Sequence, residues 1–119
     1  MEFAAALRRV RDTAPLVQCI TNFVTVNDCA NIILAAAGCP STADDIREAA
    51  ESAAGADALV CNLGAIGKVD SMISAGQSAN RAGHPVVLDP VAAGGTALRR
   101  QESARLLEHV HFTAIRGNA

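Results

Sequence analysis

The sequence predicts an α/β fold: a parallel sheet covered by helices on both faces. Three observations carry that prediction. Short, continuously apolar runs alternate with longer segments of helical period, which is the pattern of buried parallel strands joined by crossovers. Half of the 119 residues are hydrophobic but only 3% are aromatic, so the core is Ala, Val, Leu and Ile, small enough for tight helix-on-sheet packing. No repeat, low-complexity tract or interdomain linker interrupts the alternation.

The elements follow in order. Leu16 to Ile20 (LVQCI) has the length and apolarity of a buried strand. VNDCANIILAAAG then reads as a helix, apolar nearly all round and so expected between layers, with Gly38 as its C-cap and Pro40 confirming the stop. In ADDIREAAESAAG, acids crowd the first turn and Ile46, Ala49, Ala50 and Ala53 form one apolar stripe, which predicts a second helix. Ala58 to Gly64 (ALVCNLG) is the second strand. A helix follows from about Val69 to Ala82, with Val69, Met72, Ile73, Gly76 and Ala79 on one side. His84 to Pro90 (HPVVLDP) is the third strand. A helix from about Thr96 to Val110 turns Leu106, Leu107 and Val110 inward, and AIRG ends a fourth strand.

Several function classes fall away on composition. A formal charge of -2, a pI near 5.8 and few aromatics supply neither the field nor the stacking faces for nucleic acid, nor a reason to expect an anionic membrane. At the start, MEFAAALRRVRDTAP has its basic residues after the apolar stretch, the wrong order for a secretory signal. No apolar run approaches the ~20 residues of a membrane span. Cys19, Cys29, Cys39 and Cys61 lie singly, without paired C-x-x-C spacing, and read as buried thiols of a cytoplasmic protein.

Ligands of an open parallel sheet bind at the carboxyl ends of the strands, and polar or flexible residues collect at each of them here. Asn22 closes the first strand, where it could present an amide to a small heterocycle or make an Asx-turn. Asn62 and Gly64 invite the same two readings. Asp89 sits at the tip of the third strand, with Pro90 fixing the turn and Gly94–Gly95 allowing close backbone approach. Its carboxylate could hold Mg2+ near a phosphate or cap the following loop. No Lys-Ser or Lys-Thr pair follows the glycines, so this is not a Walker phosphate loop. Arg116, at the end of the fourth strand, could meet a phosphate oxygen or lie on an ordinary surface.

Five stretches taken together, VQCITNFVTVNDCANIILAAAG, ADDIREA, ADALVCNLGAI, AGQSANRAGHPVVLDPVAAGGTALR and FTAIRGNA, closely resemble the hydroxyethylthiazole kinases of thiamine salvage, in register from about Pro15 to the last residue. The resemblance implies a ribokinase-like fold and phosphorylation of the hydroxyl of 4-methyl-5-(2-hydroxyethyl)thiazole by ATP with Mg2+. It implies that Asn22, Asn62 and Gly64 line the thiazole pocket, that Asp89 lies near metal and phosphates, and that Arg116 and Asn118 contact ATP. It also implies a homo-oligomer, typically a trimer with sites at subunit boundaries.

Departures from the family pattern sharpen these expectations. Thr42 stands where a Met against the thiazole belongs, replacing an adaptable thioether by a small polar group. Ala92 replaces a Gly, at a cost if its φ is positive. Asn118 is present but the Glu three residues on, which organises Mg2+ and ATP, is not. The resemblance therefore implies that residues 1–119 are the amino-terminal portion of a single kinase domain. The carboxy-terminal half, with the glycine-rich anion hole and the cysteine at the catalytic-base position, is absent, so no catalytic residue is assigned. Such a chain is expected to be inactive alone; the alternative is a non-catalytic thiazole-binding or assembly fragment that needs a second chain.

Overall fold

Residues 2–118 are described by a computed structural model. In chain order the elements are α1 (Phe3–Thr13), β1 (Leu16–Ile20), α2 (Val26–Ala35), β2 (Cys39–Ser41), α3 (Ala49–Gly55), β3 (Ala58–Asn62), a short 3-10 turn (Ile66–Lys68), α4 (Val69–Ala82), β4 (Val86–Asp89), α5 (Ala97–His109) and β5 (Ala114–Ile115). The strands form one sheet in the order β2-β1-β3-β4-β5, and every neighbouring pair is parallel. The chain steps from β1 out to β2, then returns to the other side of β1 and continues to β5. Right-handed crossovers place α2 on one face and α3, α4 and α5 on the other.

Register decides which side chains form the core. Ile20 pairs with Cys61, Cys61 with Leu88, and Leu59 with Val86, so these side chains share the face beneath α3, α4 and α5. With Ala49, Ala53, Val69, Met72, Ala75, Ala79, Leu106 and Val110 they make one buried cluster. Small residues bring the helices close: Ser78 Oγ donates to the Ala50 carbonyl at 2.6 Å across α3 and α4. Gly76 leaves no room for a side chain, since a Cβ there would lie 2.6 Å from Val110 Cγ1.

The opposite face is covered less completely. Val17, Val60 and Val87 are half-buried on it, and α2 buries none of its residues. Ile32 and Leu34 are 67% and 57% exposed, so α2 is not the sandwiched helix that its composition predicts. Its main contacts are with β2 and β1 at one end of the sheet. No helix among the described residues is long and apolar enough to cross a membrane.

Other expectations are corrected at the ends of elements. The edge strand β2, three residues with Pro40 in the middle, is too short to carry a period, and it makes five strands where four were legible; Pro is tolerated at such an edge. The left-handed residue after α2 is Ala37 (φ 73°), not Gly38. Gly38 N donates to the Ile33 carbonyl and Ala37 N to the Leu34 carbonyl, a Schellman arrangement with alanine at its strained position. Gly38 is required one residue later, where a Cβ would meet Ile33 Cγ2 at 3.0 Å. The acidic stretch forms a turn before α3 rather than its first turn, because Asp45 Oδ1 accepts from Arg47 N at 2.9 Å; Ile46 is left 53% exposed. Leu107, one residue round the helix from the fully buried Leu106, is 55% exposed. The helix α1 has no counterpart in the sequence reading.

Two substitutions test this packing by chemical denaturation. Gly76→Ala drives a methyl into Val110 and is expected to cost about 1–3 kcal/mol despite its better helix propensity. Ala37→Gly relieves the left-handed alanine and is expected to gain about 0.5–1 kcal/mol.

Candidate functional site

The carboxyl ends of all five strands lie along one edge of the sheet, and the direction of winding reverses between β1 and β3. Asn22 and Asn62 follow the two strands on either side of that reversal, the place where ligands of open parallel sheets bind. Asn22 does form the Asx-turn: its Oδ1 accepts from Val24 N at 3.1 Å and from Thr25 N and Thr25 Oγ1 at 3.0 Å. Asn62 Oδ1 accepts from Gly64 N at 2.7 Å. The two side chains converge on Gly64, where a Cβ would lie 2.7 Å from Asn22 Nδ2, 2.8 Å from Asn62 Oδ1 and 3.5 Å from Val91 Cγ1. A side chain at position 64 would fill the space that the two amides occupy.

A recess opens beyond β3. Asp89, Pro90, Val91, Ala92, Arg116, Gly117 and Asn118 line an open cleft of about 230 Å³. Arg116 Nη1 donates to Asp89 Oδ2 at 3.0 Å across the ends of β5 and β4, with Asp89 largely buried and Arg116 largely exposed. Asp89 thus places its carboxylate on Arg116 rather than on the following loop, and Arg116, 67% exposed, is an ion-paired surface arginine. Ala93 N donates to the Pro90 carbonyl, as the turn at Pro90 requires. Ala92 has φ 55°, so alanine stands in the left-handed region that favours glycine. Close backbone approach occurs at Gly95, 3.2 Å from the Ala92 carbonyl to a Cβ there, while Gly94 faces open space. Thr42, exposed and without a side-chain hydrogen bond among the described residues, follows β2 on the far side of β1 from Asn62.

Sequence reading missed the residue that joins the turns after β3 and β4. From the first turn of α5, Arg99 Nη1 donates to the Leu63 carbonyl at 3.2 Å and to the Val91 carbonyl at 3.4 Å. Next to it, Arg100 Nη1 reaches the Gly94 carbonyl at 3.0 Å. The available signal was Thr96, an N-cap whose Oγ1 accepts from Arg99 N and fixes where the arginine starts.

The model of the hydroxyethylthiazole kinase family matches residues 7–119. A hydroxyethylthiazole kinase of Desulfovibrio desulfuricans is 54% identical over 119 residues, covering 98% of this chain and 42% of the relative. One of Clostridium acetobutylicum is 51% identical over 114 residues, covering 94% and 42%. The solved structure of a hydroxyethylthiazole kinase protein from Pyrococcus horikoshii OT3 superposes with a TM-score of 0.89 at 42% identity, over 96% of this chain and 45% of that one. The chain thus spans less than half the length of these relatives.

None of the four thiols lines the cleft. Cys19 and Cys61 are buried, whereas Cys29 is half-buried and Cys39, at the opposite end of β2, is exposed, contrary to the expectation of four buried thiols. Burial, reinforced by Cys29, pushes the Cys19 thiol up to about 11. Burial, reinforced by Cys19, pushes Cys61 to about 12. Because the fold favours both protonated forms, their contribution to stability is complete below the ordinary thiol value of 9.0 and is lost as pH rises through these values. Alkylation of the native chain at mildly alkaline pH, read by peptide mass spectrometry, is expected to modify Cys39 first and Cys29 more slowly, leaving Cys19 and Cys61 intact until unfolding.

Proposed function

The chain belongs to the hydroxyethylthiazole kinase family, and on that premise we propose that residues 1–119 form the amino-terminal portion of a single ribokinase-like kinase domain. Its reaction is transfer of the γ-phosphoryl group of ATP to the hydroxyl of 4-methyl-5-(2-hydroxyethyl)thiazole. One observation carries the reading. Two chemically unlike groups of side chains, the amides of Asn22 and Asn62 and the Asp89–Arg116 ion pair beside an open cleft, stand on one sheet edge, and phosphoryl transfer needs an acceptor alcohol and a phosphate donor held next to each other.

In this reading Asn22, Asn62 and Gly64 hold the thiazole, with Thr42 at its margin, while Arg116 and Asn118 meet ATP. The hard-oxygen donor set fits Mg2+: the largely buried Asp89 carboxylate opens on a cleft of about 230 Å³, and Mg2+ is held by one or two carboxylates together with substrate phosphates. Asp89 would hold the ion, which when bound neutralises phosphate charge. Arg116 shields Asp89 until a phosphate competes for its guanidinium, whose planar fork suits two phosphate oxygens; the carboxylate is then released toward the cleft. Arg99 fixes the separation of the two groups through its paired carbonyls. No side chain of the cleft is assigned as catalytic base. A cytoplasmic homotrimer completes the reading, supported by the exposure of Phe23 and Val24 beside Asn22 (89% and 73%).

The second reading, a thiazole-binding or assembly fragment that needs another chain, is favoured by the openness of the cleft, where Arg116, Gly117 and Asn118 are all exposed. Both readings meet in one experiment. The chain alone should bind the thiazole alcohol saturably without consuming ATP, and mixing it with the carboxy-terminal half of the Desulfovibrio desulfuricans relative should restore turnover. Asp89→Asn should lower that turnover by about 100-fold or more. A folded pair with no turnover would remove Asp89 and Arg116 from the machinery.

A further inference from the structure

Gln18 stands in the middle of β1 with 0% exposure, the largest polar side chain in the interior. Register sets it between Ser41 on β2 and Leu59 on β3, on the core face of the sheet. Its Nε2 donates to the Ala43 carbonyl at 2.8 Å and, more distantly, to the Ala49 carbonyl at 3.5 Å. Both partners are acceptors, so the orientation of the amide is fixed. Oε1 is then left as the one buried side-chain polar atom without a partner among the described residues. An orphaned acceptor opposes folding, and an apolar side chain would fill the same strand position without one. What the glutamine supplies that an apolar residue cannot is the bond to Ala43.

Ala43 belongs to the loop of residues 42–48, which leaves β2 for α3. The other side-chain hydrogen bonds of this loop run within residues 41–47. Its ion pair, Lys68 to Asp44 at 3.8 Å, joins two exposed side chains and holds little. Gln18 is therefore the one buried side chain whose hydrogen bond holds the loop among the described residues, and it does so one position from Thr42. We propose that Gln18 is a positioning residue of the thiazole site: from the interior of the sheet its amide anchors Ala43, and so fixes where Thr42 stands at the margin of the ring, a role that rests on the thiazole reading. The unpaired oxygen is the stability that this anchoring forgoes.

Gln18→Met tests the role in the 119-residue chain, because it fills a similar volume and removes the donor and the orphaned acceptor together. Its melting midpoint should stay at or above that of the wild type. Hydrogen exchange followed by NMR should be at least about tenfold faster at Glu48 and Ala49, whose N–H groups bond to the Asp45 carbonyl, and unaltered in β1 and β3. Affinity for 4-methyl-5-(2-hydroxyethyl)thiazole should fall about fivefold. Thr42→Ala should also weaken binding, and adding Gln18→Met to it should cost nothing further, since the amide acts through that residue. A fallen midpoint with faster exchange across the whole sheet makes Gln18 a packing residue only and overturns the role, as does unaltered exchange at Glu48 and Ala49. If Thr42→Ala weakens binding but Gln18→Met does not, or if the two losses add in full, the positioning role is overturned and the thiazole reading stands. Unaltered binding in Thr42→Ala removes Thr42 from the site and the role of Gln18 with it. Failure of the wild-type chain to bind the thiazole alcohol overturns the thiazole reading and the role together.

Discussion

The carboxyl edge of this sheet is organised around a missing methyl group. Gly64 lies where a Cβ would fall within 2.8 Å of side-chain atoms from the loop after β1 and from the end of β3, so any other residue would push Asn22 and Asn62 apart. Those two asparagines in turn fix the loops that leave their strands. The backbone after β1 turns into α2 on the oxygen of Asn22, and the backbone after β3 turns at Gly64 on the oxygen of Asn62. One close approach thus couples two strand ends and two turns. Arg99 extends the coupling to β4, because its two carbonyl partners belong to the turns on either side.

The site and the core stand in a simple relation. The face under α3, α4 and α5 is packed from small and medium aliphatic side chains, and the strands end one residue beyond it in polar groups. Leu88 belongs to the core and Asp89 to the cleft; Cys61 belongs to the core and Asn62 to the polar edge. The switch from core to polar edge takes a single step along β3 and β4, so the rigidity of the interior is passed directly to the groups above it.

Most of the fold could be read from the sequence because its strands are continuous apolar runs and α4 has an unbroken stripe; the helix Val69–Ala82 lies where its periodicity puts it. The misreadings have separate physical causes. β2 has three residues, too few for a period to exist. The stretch before α3 was read as helix from its acids, but Asp45 found a backbone N–H two residues on, an outcome that composition does not distinguish from a charged first turn. α2 was placed in the interior because its sequence is apolar, although burial depends on how many neighbours the topology supplies. At the site, Asn22, Asn62, Gly64, Asp89 and Arg116 were legible as strand-end residues. Their partners were not, since an ion pair between positions 89 and 116 or a clash at position 64 exists only in three dimensions. Arg99 was invisible for the same reason: both groups it touches are carbonyls, which every residue has.

The loop after β4 combines a left-handed alanine with two arginines that hold its carbonyls from the first turn of α5. An L-residue in that conformation costs about 1–2 kcal/mol, and a hydrogen bond from a charged group returns about 1.5–3 kcal/mol. The two are close in size and act on the same few peptide units. The loop is therefore a latch under tension: releasing Val91 and Gly94 lets Ala92 relax, and the relaxation offsets much of the cost of release. The shape of the cleft wall is thus set by the arginine grip on the loop and the strain at Ala92, and the register of the sheet by the strands below.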